Sequence, residues 1–235
     1  MKDTGEENKS GNVRKMFESI SGRYDLLNTL ITFGRDKSWR KHVVKEASLK
    51  EDSLILDVGT GTGGILQEAL FLNRKIKSFG VDFTLDMMLA GKEGEGRISW
   101  CCADALNLPF PDSVFDAVTS GYLIRNVTDI GRAFREQART VKPGGKVVCL
   151  ETSPPPQNIL RPFILLYLKF IIPMLGLIFA GNRNAYRYLT SSTESFKTPQ
   201  ELSFIMRDAG LYNVRIKIFM FGTIAVLSGT RPFDP

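Results

Sequence analysis

The residues best suited to chemistry stand together in Leu54-Ile-Leu-Asp-Val-Gly-Thr-Gly-Thr-Gly-Gly64. Leu54, Ile55, Leu56 and Val58 make the short apolar run of a central parallel strand covered on both faces, with the acid Asp57 inside it. Gly59, Gly61, Gly63 and Gly64 then permit a tight turn with positive φ and leave no Cβ between backbone and ligand, before a helix from Ile65 to Phe71. A nucleotide-type cofactor can rest on such a loop. The spacing Gly59-x-Gly61-x-x-Gly64 satisfies a dinucleotide fingerprint, in which a pyrophosphate sits at a helix N-terminus. Asp57 argues against that ligand, because a carboxylate beside the loop repels phosphates and suits a cofactor carrying positive charge.

Other chemistry-bearing residues stand at further strand ends. Ile76 to Val81 predicts a second strand ending in Asp82, about 20 residues past the loop, where an acid accepts hydrogen bonds from ribose hydroxyls. Ile98 to Cys102 predicts a third strand, closed by Ala103-Asp104-Ala105. Phe115 to Ser120 predicts a fourth, and Gly121-Tyr-Leu-Ile-Arg-Asn126 leaves its C-terminal edge, where open α/β sheets place their ligands. Upstream, Tyr24 is either an active-site phenol or, like Trp39, an ordinary half-buried aromatic docking an N-terminal cap, and its type alone leaves both open.

Holding these residues requires a frame, and the remaining pattern supplies one. Val13 to Glu46 carries helical periodicity and predicts a cap over residues 1–46, whose polar start, Met1 to Gly11, is expected to be disordered. Thr84 caps a helix from Leu85 to Lys92, and Asp129 to Val141 is amphipathic, ending at Lys142-Pro-Gly-Gly145 before a fifth strand from Val147 to Leu150. Glu151-Thr-Ser-Pro-Pro-Pro156 forces an extended exit. The run from Phe163 to Ala180 is almost wholly apolar and close to the ~20 residues that span a bilayer. Lys169, Pro173 and Gly176 interrupt it, and the sheet still needs the strands beyond it, so a buried or interfacial helical lid inserted at about 157–195 is preferred to a transmembrane span. Thr198-Pro-Gln-Glu201 is a capping box, and Tyr212 to Phe219 with Thr223 to Gly229 predicts a terminal antiparallel hairpin around Gly222.

Composition narrows the functions this frame can serve. The 235 residues are 43% hydrophobic and 24% charged, enough for one α/β domain with a sizeable core at 47–235 beside the cap. Net charge is +6, but the basic residues are scattered, and no basic block interleaved with aromatics marks a nucleic-acid partner. An anionic membrane surface suits that charge equally well. Three cysteines, including the neighbours Cys101 and Cys102, and the single His42 disfavour a disulfide framework, a metal site and Ser-His-Asp chemistry. The polar N-terminus, lacking an apolar signal region, predicts a cytoplasmic protein.

Asp57-x-Gly59-x-Gly61-x-Gly63 resembles motif I of the class I S-adenosylmethionine (SAM) methyltransferases, whose cofactor carries an ammonium and a sulfonium in place of a pyrophosphate. From about Val13 to Arg231 the chain resembles the UbiE-like C-methyltransferases of ubiquinone and menaquinone biosynthesis. The resemblance rests on Ser21-x-x-Tyr24-Asp25-x-x-Asn28, Arg125-Asn126-Val127, Lys142-Pro-Gly-Gly145 and Tyr186-Arg-Tyr-Leu189. It implies a Rossmann-like α/β fold, with a mostly parallel seven-stranded sheet, helices on both faces and the terminal hairpin. It also implies that Asp57, Gly59, Gly61, Thr62, Gly63, Asp82, Asp104, Ala105 and Gly121 line the SAM site, Asp57 toward the amino-acid part and Asp104 toward the adenine amino group. Gly121 stands where the family commonly has Ser. Tyr24, Arg125 and Asn126 would face the ring to be methylated, and no metal is implied.

The reaction so implied moves a methyl group from the sulfonium to a ring carbon beside a hydroxyl of a prenylated quinol, a demethylmenaquinol-like substrate being favoured. A phenol with pKa about 10 is only ~0.1% ionised at neutral pH, and a nearby cation raises that fraction about tenfold per unit of pKa. Arg125 suits that task but not the proton acceptor's, because guanidinium stays charged above pH ~12. Asn126 and Tyr24 would orient the ring or a water, and the acceptor is left open, Asp82 through water being one candidate. The lid would receive the prenyl tail, Leu166 and Phe170 among its contacts, and touch the membrane surface. A homodimer is left open. The rival readings are a methyltransferase of another lipophilic aromatic, an NAD-dependent oxidoreductase and a noncatalytic quinone carrier.

Overall fold

A computed structural model describes residues 3–92 and 96–233. Its frame is a seven-stranded sheet: β1 (Leu54–Val58), β2 (Lys77–Asp82), β3 (Ile98–Cys102), β4 (Phe115–Gly121), β5 (Val141–Thr152), β6 (Tyr212–Phe219) and β7 (Ile224–Thr230). The order is β3-β2-β1-β4-β5-β7-β6, parallel except that β7 runs antiparallel to both β5 and β6. The chain reverses direction of travel across the sheet between β1 and β4. The C-terminal ends of those two strands therefore flank a crevice, the place where this architecture binds ligands.

Strand alternation divides the core. Leu56 and Val118 face one side, where they pack with Ala133 and Phe134 of α6 (Ile130–Thr140) and Leu202 and Met206 of α10 (Pro199–Asp208). Ile55 and Ala117 face the other, against Trp39 and Val43 of α3 (Asp36–Ala47) and Leu66 and Ala69 of α4 (Gly64–Leu72). Both faces are thus covered, which accounts for the continuous apolar run of β1. Asp129 caps α6 by accepting from Arg132 N at 2.8 Å, and Thr198 with Glu201 forms the expected capping box of α10.

Cap and lid form a third cluster of their own. Helix α1 (Asp3–Ile20), a short turn at Ser21–Arg23 and α2 (Tyr24–Ile31) lead into α3, while α7 (Arg161–Leu166), a π-helical turn (Tyr167–Ile171), α8 (Ile172–Ala180) and α9 (Arg183–Glu194) form the insertion. Ile20 and Leu27 of the cap pack on Leu168 and Ile172 of the lid and on Tyr186. Gly176 lies against the Tyr186 ring with no room for a Cβ, so α8 and α9 approach closely at that point. The Tyr167 hydroxyl ties lid to cap by donating to the Ile31 carbonyl at 2.8 Å.

Three sequence expectations need correction. The cap helix already begins at Asp3, because a polar, proline-free run continues the helix anchored by buried Val13 and Ile20; Met1 and Lys2 lie outside the described residues. Lys142-Pro-Gly-Gly145 does not separate helix from strand but lies within β5, absorbed by a register shift against β4 and by Gly144 at φ +78°. Of the two forms expected for the lid, buried or interfacial, the buried one does not hold: in the apolar helix Arg161–Phe179, 19 residues of mean hydropathy 2.1, only 22% of the most apolar stretch is buried, and by length and composition the helix could cross a membrane.

One contact sets the glycine turn against its neighbouring helix. A Cβ on Gly91, in α5 (Leu85–Lys92), would fall on the Thr62 carbonyl. Gly91→Ala should therefore destabilise the protein by about 1–3 kcal/mol through overpacking. A lowered urea midpoint checks this, and an unchanged midpoint would show that the turn moves freely.

Candidate active site

The glycine turn at the end of β1 is built as its composition requires. Gly59, Gly61 and Gly63 have φ of +67°, +56° and +78°. A Cβ on Gly59 would come within 2.7 Å of Leu123, and one on Gly63 within 2.7 Å of the Trp100 ring, so both conformation and space exclude other residues. Asp82 fastens the turn to β2: its carboxylate accepts from Gly61 N and from Thr84 N, each at 2.8 Å.

Beside this turn lies a narrow cleft of about 40 Å³, lined among others by Asp57, Gly59, Gly61, Thr62, Gly121 and, from α3, Arg40. Asp57 is 1% exposed and accepts the Thr119 hydroxyl at 2.7 Å. Burial pushes its carboxyl up to about 7 against the pull of the Thr119 hydrogen bond. Arg40 lays its guanidinium against Gly64 and pairs at 3.4 Å with both Asp25 and Asp36. Gly63, Asp82, Asp104 and Ala105 are not on the cleft wall. Asp82 stands at the end of β2, and Asp104 is exposed just past β3, accepting Leu106 N at 2.9 Å. A side chain on Gly121 would press on Ile65 at 3.0 Å.

This donor set fits SAM. The buried acid Asp57 would answer an ammonium and Arg40 a carboxylate, and Asp104, exposed just past β3, would be open to adenine, while Asp82 braces the turn with both of its oxygens. Arg40 has no counterpart among the residues singled out from sequence, because it reaches the turn from the cap.

Across a wall formed by Tyr24 and Tyr122 lies a second space, about 380 Å³ and predominantly apolar. Ile31, Phe33, Phe163, Ile164, Tyr167 and Leu168 are among its lining, so cap and lid close it together. Tyr122 holds a left-handed conformation, φ +57°, at the end of β4, and its N–H donates to Leu150 O at 2.8 Å. Burial raises the Tyr24 phenol above its ordinary value, opposed in part by the Arg125 charge, and burial raises Tyr122 as well. Neither is a base near neutral pH.

Arg125 reaches this cavity with its charge already matched. Its Nη1 donates to Glu151 Oε1 at 2.6 Å and to Thr152 Oγ1 at 3.1 Å, and the two ionic side chains are 6% and 0% exposed. The guanidinium also lies over the Tyr122 ring, 5.3 Å from its centroid. Arg125 Nε and Asn28 Nδ2 are both buried without a hydrogen-bond partner among the described residues, and both residues line the cavity. Two orphaned donors in an apolar space are costly unless a ligand supplies acceptors.

Asn126 is placed differently from its expected role. Its amide donates to Tyr122 O at 2.8 Å and receives the Tyr188 hydroxyl at 3.4 Å, so it stands behind the wall and fixes the turn carrying Tyr122. Asp82 is not the proton acceptor for a ring in this cavity, because its oxygens are committed to the glycine turn and it lines neither space. Sequence reasoning also passed over Asn28 and Tyr122 as site residues. Asn28 had a signal: four residues after Tyr24 on α2, it shares that residue's helix face.

Comparisons with known proteins give the family and the fold of the chain. The model of the ubiE/COQ5 methyltransferase family matches residues 2–231. The "Ubiquinone/menaquinone biosynthesis C-methyltransferase UbiE" of Desulfotalea psychrophila is 42% identical over 229 residues, 95% of this chain and 92% of that protein. The "Demethylmenaquinone methyltransferase" of Bacillus cytotoxicus is 39% identical, over 97% and 98% of the two chains. Among solved structures, a chain from a Haloferax volcanii complex of the Trm112 methyltransferase activator with a methyltransferase superposes with TM-score 0.68 at 19% identity, covering 95% of this chain and 99% of that one. Phosphoethanolamine N-methyltransferase 2 of Haemonchus contortus, in complex with SAM, gives TM-score 0.63 at 16% identity over 83% and 53%. These two likenesses carry the fold.

The raised carboxyl of Asp57 makes cofactor binding a proton-linked event. Free Asp57 is largely protonated below about 7, and an ammonium beside it favours the carboxylate, so binding there must expel a proton. SAM affinity should fall as pH falls below that value, by up to about tenfold per unit. Calorimetry near pH 6 in buffers of different ionisation heat should show proton release that disappears in Asp57→Asn. Affinity independent of pH with no proton release would remove Asp57 from the ammonium site.

Proposed function

Because the chain belongs to the ubiE/COQ5 methyltransferase family, we propose that it methylates a ring carbon of a prenylated quinol, of the demethylmenaquinol type, with SAM as methyl donor. One observation carries the choice of substrate. The cavity beside the cofactor cleft is apolar but holds two unsatisfied donors, Arg125 Nε and Asn28 Nδ2, matching an apolar ring that bears two oxygens. The membership supersedes the oxidoreductase and carrier readings. It leaves another lipophilic aromatic as the second reading, which the same cavity accommodates.

Bound in the cleft, the cofactor supplies an electrophilic methyl group. The chain's own residues prepare the ring. Arg125 holds the hydroxyl oxygen and favours its ionised form, Asn28 holds the opposite oxygen, and Tyr24 and Tyr122 set the ring's plane at the shared wall. Phe163, Ile164 and Leu168 exclude water, which strengthens these polar contacts. The prenyl tail leaves past Phe33, Phe163 and Phe221, three exposed aromatics among the cavity's lining.

The lid has a second apolar face, and its partner in this reading is the surface of a membrane. Leu166, Phe170, Met174, Leu177 and Ile178 are exposed, with Phe170 at 63%. Leu166 and Phe170 are not on the cavity wall, so they serve an outer partner in place of the tail contacts expected from sequence. Lys169 is drawn off by Glu194 at 3.2 Å, which leaves apolar burial as the main attraction. The chain after the lid returns to complete the sheet with β6 and β7, which favours a peripheral protein on the cytoplasmic face over a spanning one.

Methyl-labelled SAM and a reduced demethyl quinol in lipid vesicles test the reading: label on a ring carbon of the recovered quinol supports it, and label on oxygen or no label opposes it. Arg125→Lys should bind SAM normally but turn over roughly ten- to a hundredfold more slowly, since an ammonium cannot keep Glu151 and the ring oxygen on one planar fork. Equal turnover would make Arg125 structural. Replacing Leu166 and Phe170 together by Ser should weaken flotation with anionic liposomes and spare KM for a tail-less quinol. Undiminished flotation would leave the outer face without a membrane role.

A further inference from the structure

The family reading supplies no acceptor for the quinol proton, and the ionisable groups on the cavity wall are unsuited to it: Arg125 stays charged, and burial raises the Tyr24, Tyr122 and Tyr167 phenols. Resting on that reading, we propose that Glu151 takes this proton through a relay of two hydroxyls, Thr193 and Thr152. Thr152, Thr190 and Thr193 line the cavity, whereas Glu151 is fully buried behind it at the end of β5. Thr193 Oγ1 lies 3.2 Å from Thr152 Oγ1, which lies 3.4 Å from Glu151 Oε1. Arg125 Nη1 donates to Thr152 Oγ1 at 3.1 Å, leaving that hydroxyl's own proton to point at the carboxylate. A back-bond from Thr193 to Leu189 O at 2.9 Å competes in the resting state. A ring hydroxyl donating to Thr193 would favour the forward direction. The resting distances exceed the ~2.7–2.8 Å ideal and must tighten once the cavity is filled.

In the step itself the quinol O–H bond breaks and its electron pair stays on the ring oxygen. That proton passes to Thr193 Oγ1, the Thr193 proton to Thr152 Oγ1, and the Thr152 proton to Glu151 Oε1. After the ring carbon has gained its methyl group it loses its hydrogen to water as a proton. The ring oxygen then recovers its own proton from Glu151 by the reverse route, so one proton leaves per turnover. The electrostatic advantage is that no net charge is created in an apolar cavity. Negative charge moves from Glu151 to the ring oxygen, and both are partners of the same guanidinium.

The test uses the full chain with Thr193→Val, Thr193→Ser and Glu151→Gln. Thr193→Val should leave SAM affinity intact and lower kcat by about a hundredfold or more, with Ser restoring it and a quinol of more acidic hydroxyl narrowing the gap. A readout without cofactor follows a tail-less naphthol bound to the protein, with absorbance reporting phenolate and an indicator dye reporting protons. Wild type should form the phenolate without releasing a proton to solvent, and Glu151→Gln should release one for each phenolate formed. Proton release from wild type, or full turnover by Thr193→Val on an ordinary quinol, would overturn the relay. Absence of methyl transfer by wild type to any quinol would instead overturn the substrate reading, since the naphthol measurement stands without it.

Discussion

The buried ion pair between Arg125 and Glu151 organises the rest of the site. Removing two charges from water costs several kcal/mol per ion, and only close geometry with further hydrogen bonds repays it. Here both conditions hold. Glu151 also accepts from Thr152 N at 2.8 Å and from the backbone N–H of Arg125 at 3.2 Å. One carboxylate at the end of β5 thereby fixes both the guanidinium and the chain just after β4. That fixation holds Tyr122 in its left-handed conformation, with Asn126 gripping the Tyr122 carbonyl from behind. Of the guanidinium's donors, Nε is left buried and unmatched at the cavity. A ligand oxygen placed there would offset the cost of leaving that donor unpaired.

A second constraint is the shared wall. A charged cofactor and a greasy ring need opposite surroundings, and the fold supplies them on either side of Tyr24 and Tyr122. The sheet's crevice provides the polar side, where Asp57, Arg40 and the glycine turn converge. Cap and lid provide the apolar side, and neither closes it alone: Ile31 and Phe33 come from one, Phe163 and Leu168 from the other. Phe33 stacks on Tyr167 at 5.9 Å across that seam.

Much of this was legible in the chain, for identifiable reasons. The run Leu54 to Gly64 announces strand, acid and turn because each depends on neighbours in sequence, and the strand ends at Asp82 and Gly121 follow from the same period. Arg40, Glu151 and Thr193 were not legible as site residues, because each acquires its role from a partner far along the chain: Gly64, Arg125 and Thr152 respectively. The lid's character was only half readable. Hydrophobicity reported that it needs apolar partners on all sides, but not that Leu168 and Ile172 would find them in the cap while Leu166 and Phe170 stay exposed. Lys142-Pro-Gly-Gly145 misled for a related reason: its glycines break a period locally, yet Val141 and Lys146 pair with β4 on either side of it, and Gly144 and Gly145 exchange backbone hydrogen bonds with Arg231.

The central claim is that donor and acceptor meet across the Tyr24 and Tyr122 wall, with the ring held by Arg125 and Asn28. A crystal structure of the protein with S-adenosylhomocysteine and a prenylated demethyl quinol tests it most directly. The account predicts the ring inside the apolar cavity, one oxygen on Arg125 Nε, the other on Asn28 Nδ2, and the tail emerging between Phe163 and Phe221. A ring bound outside that cavity, or inside it with both donors still unpaired, would contradict it.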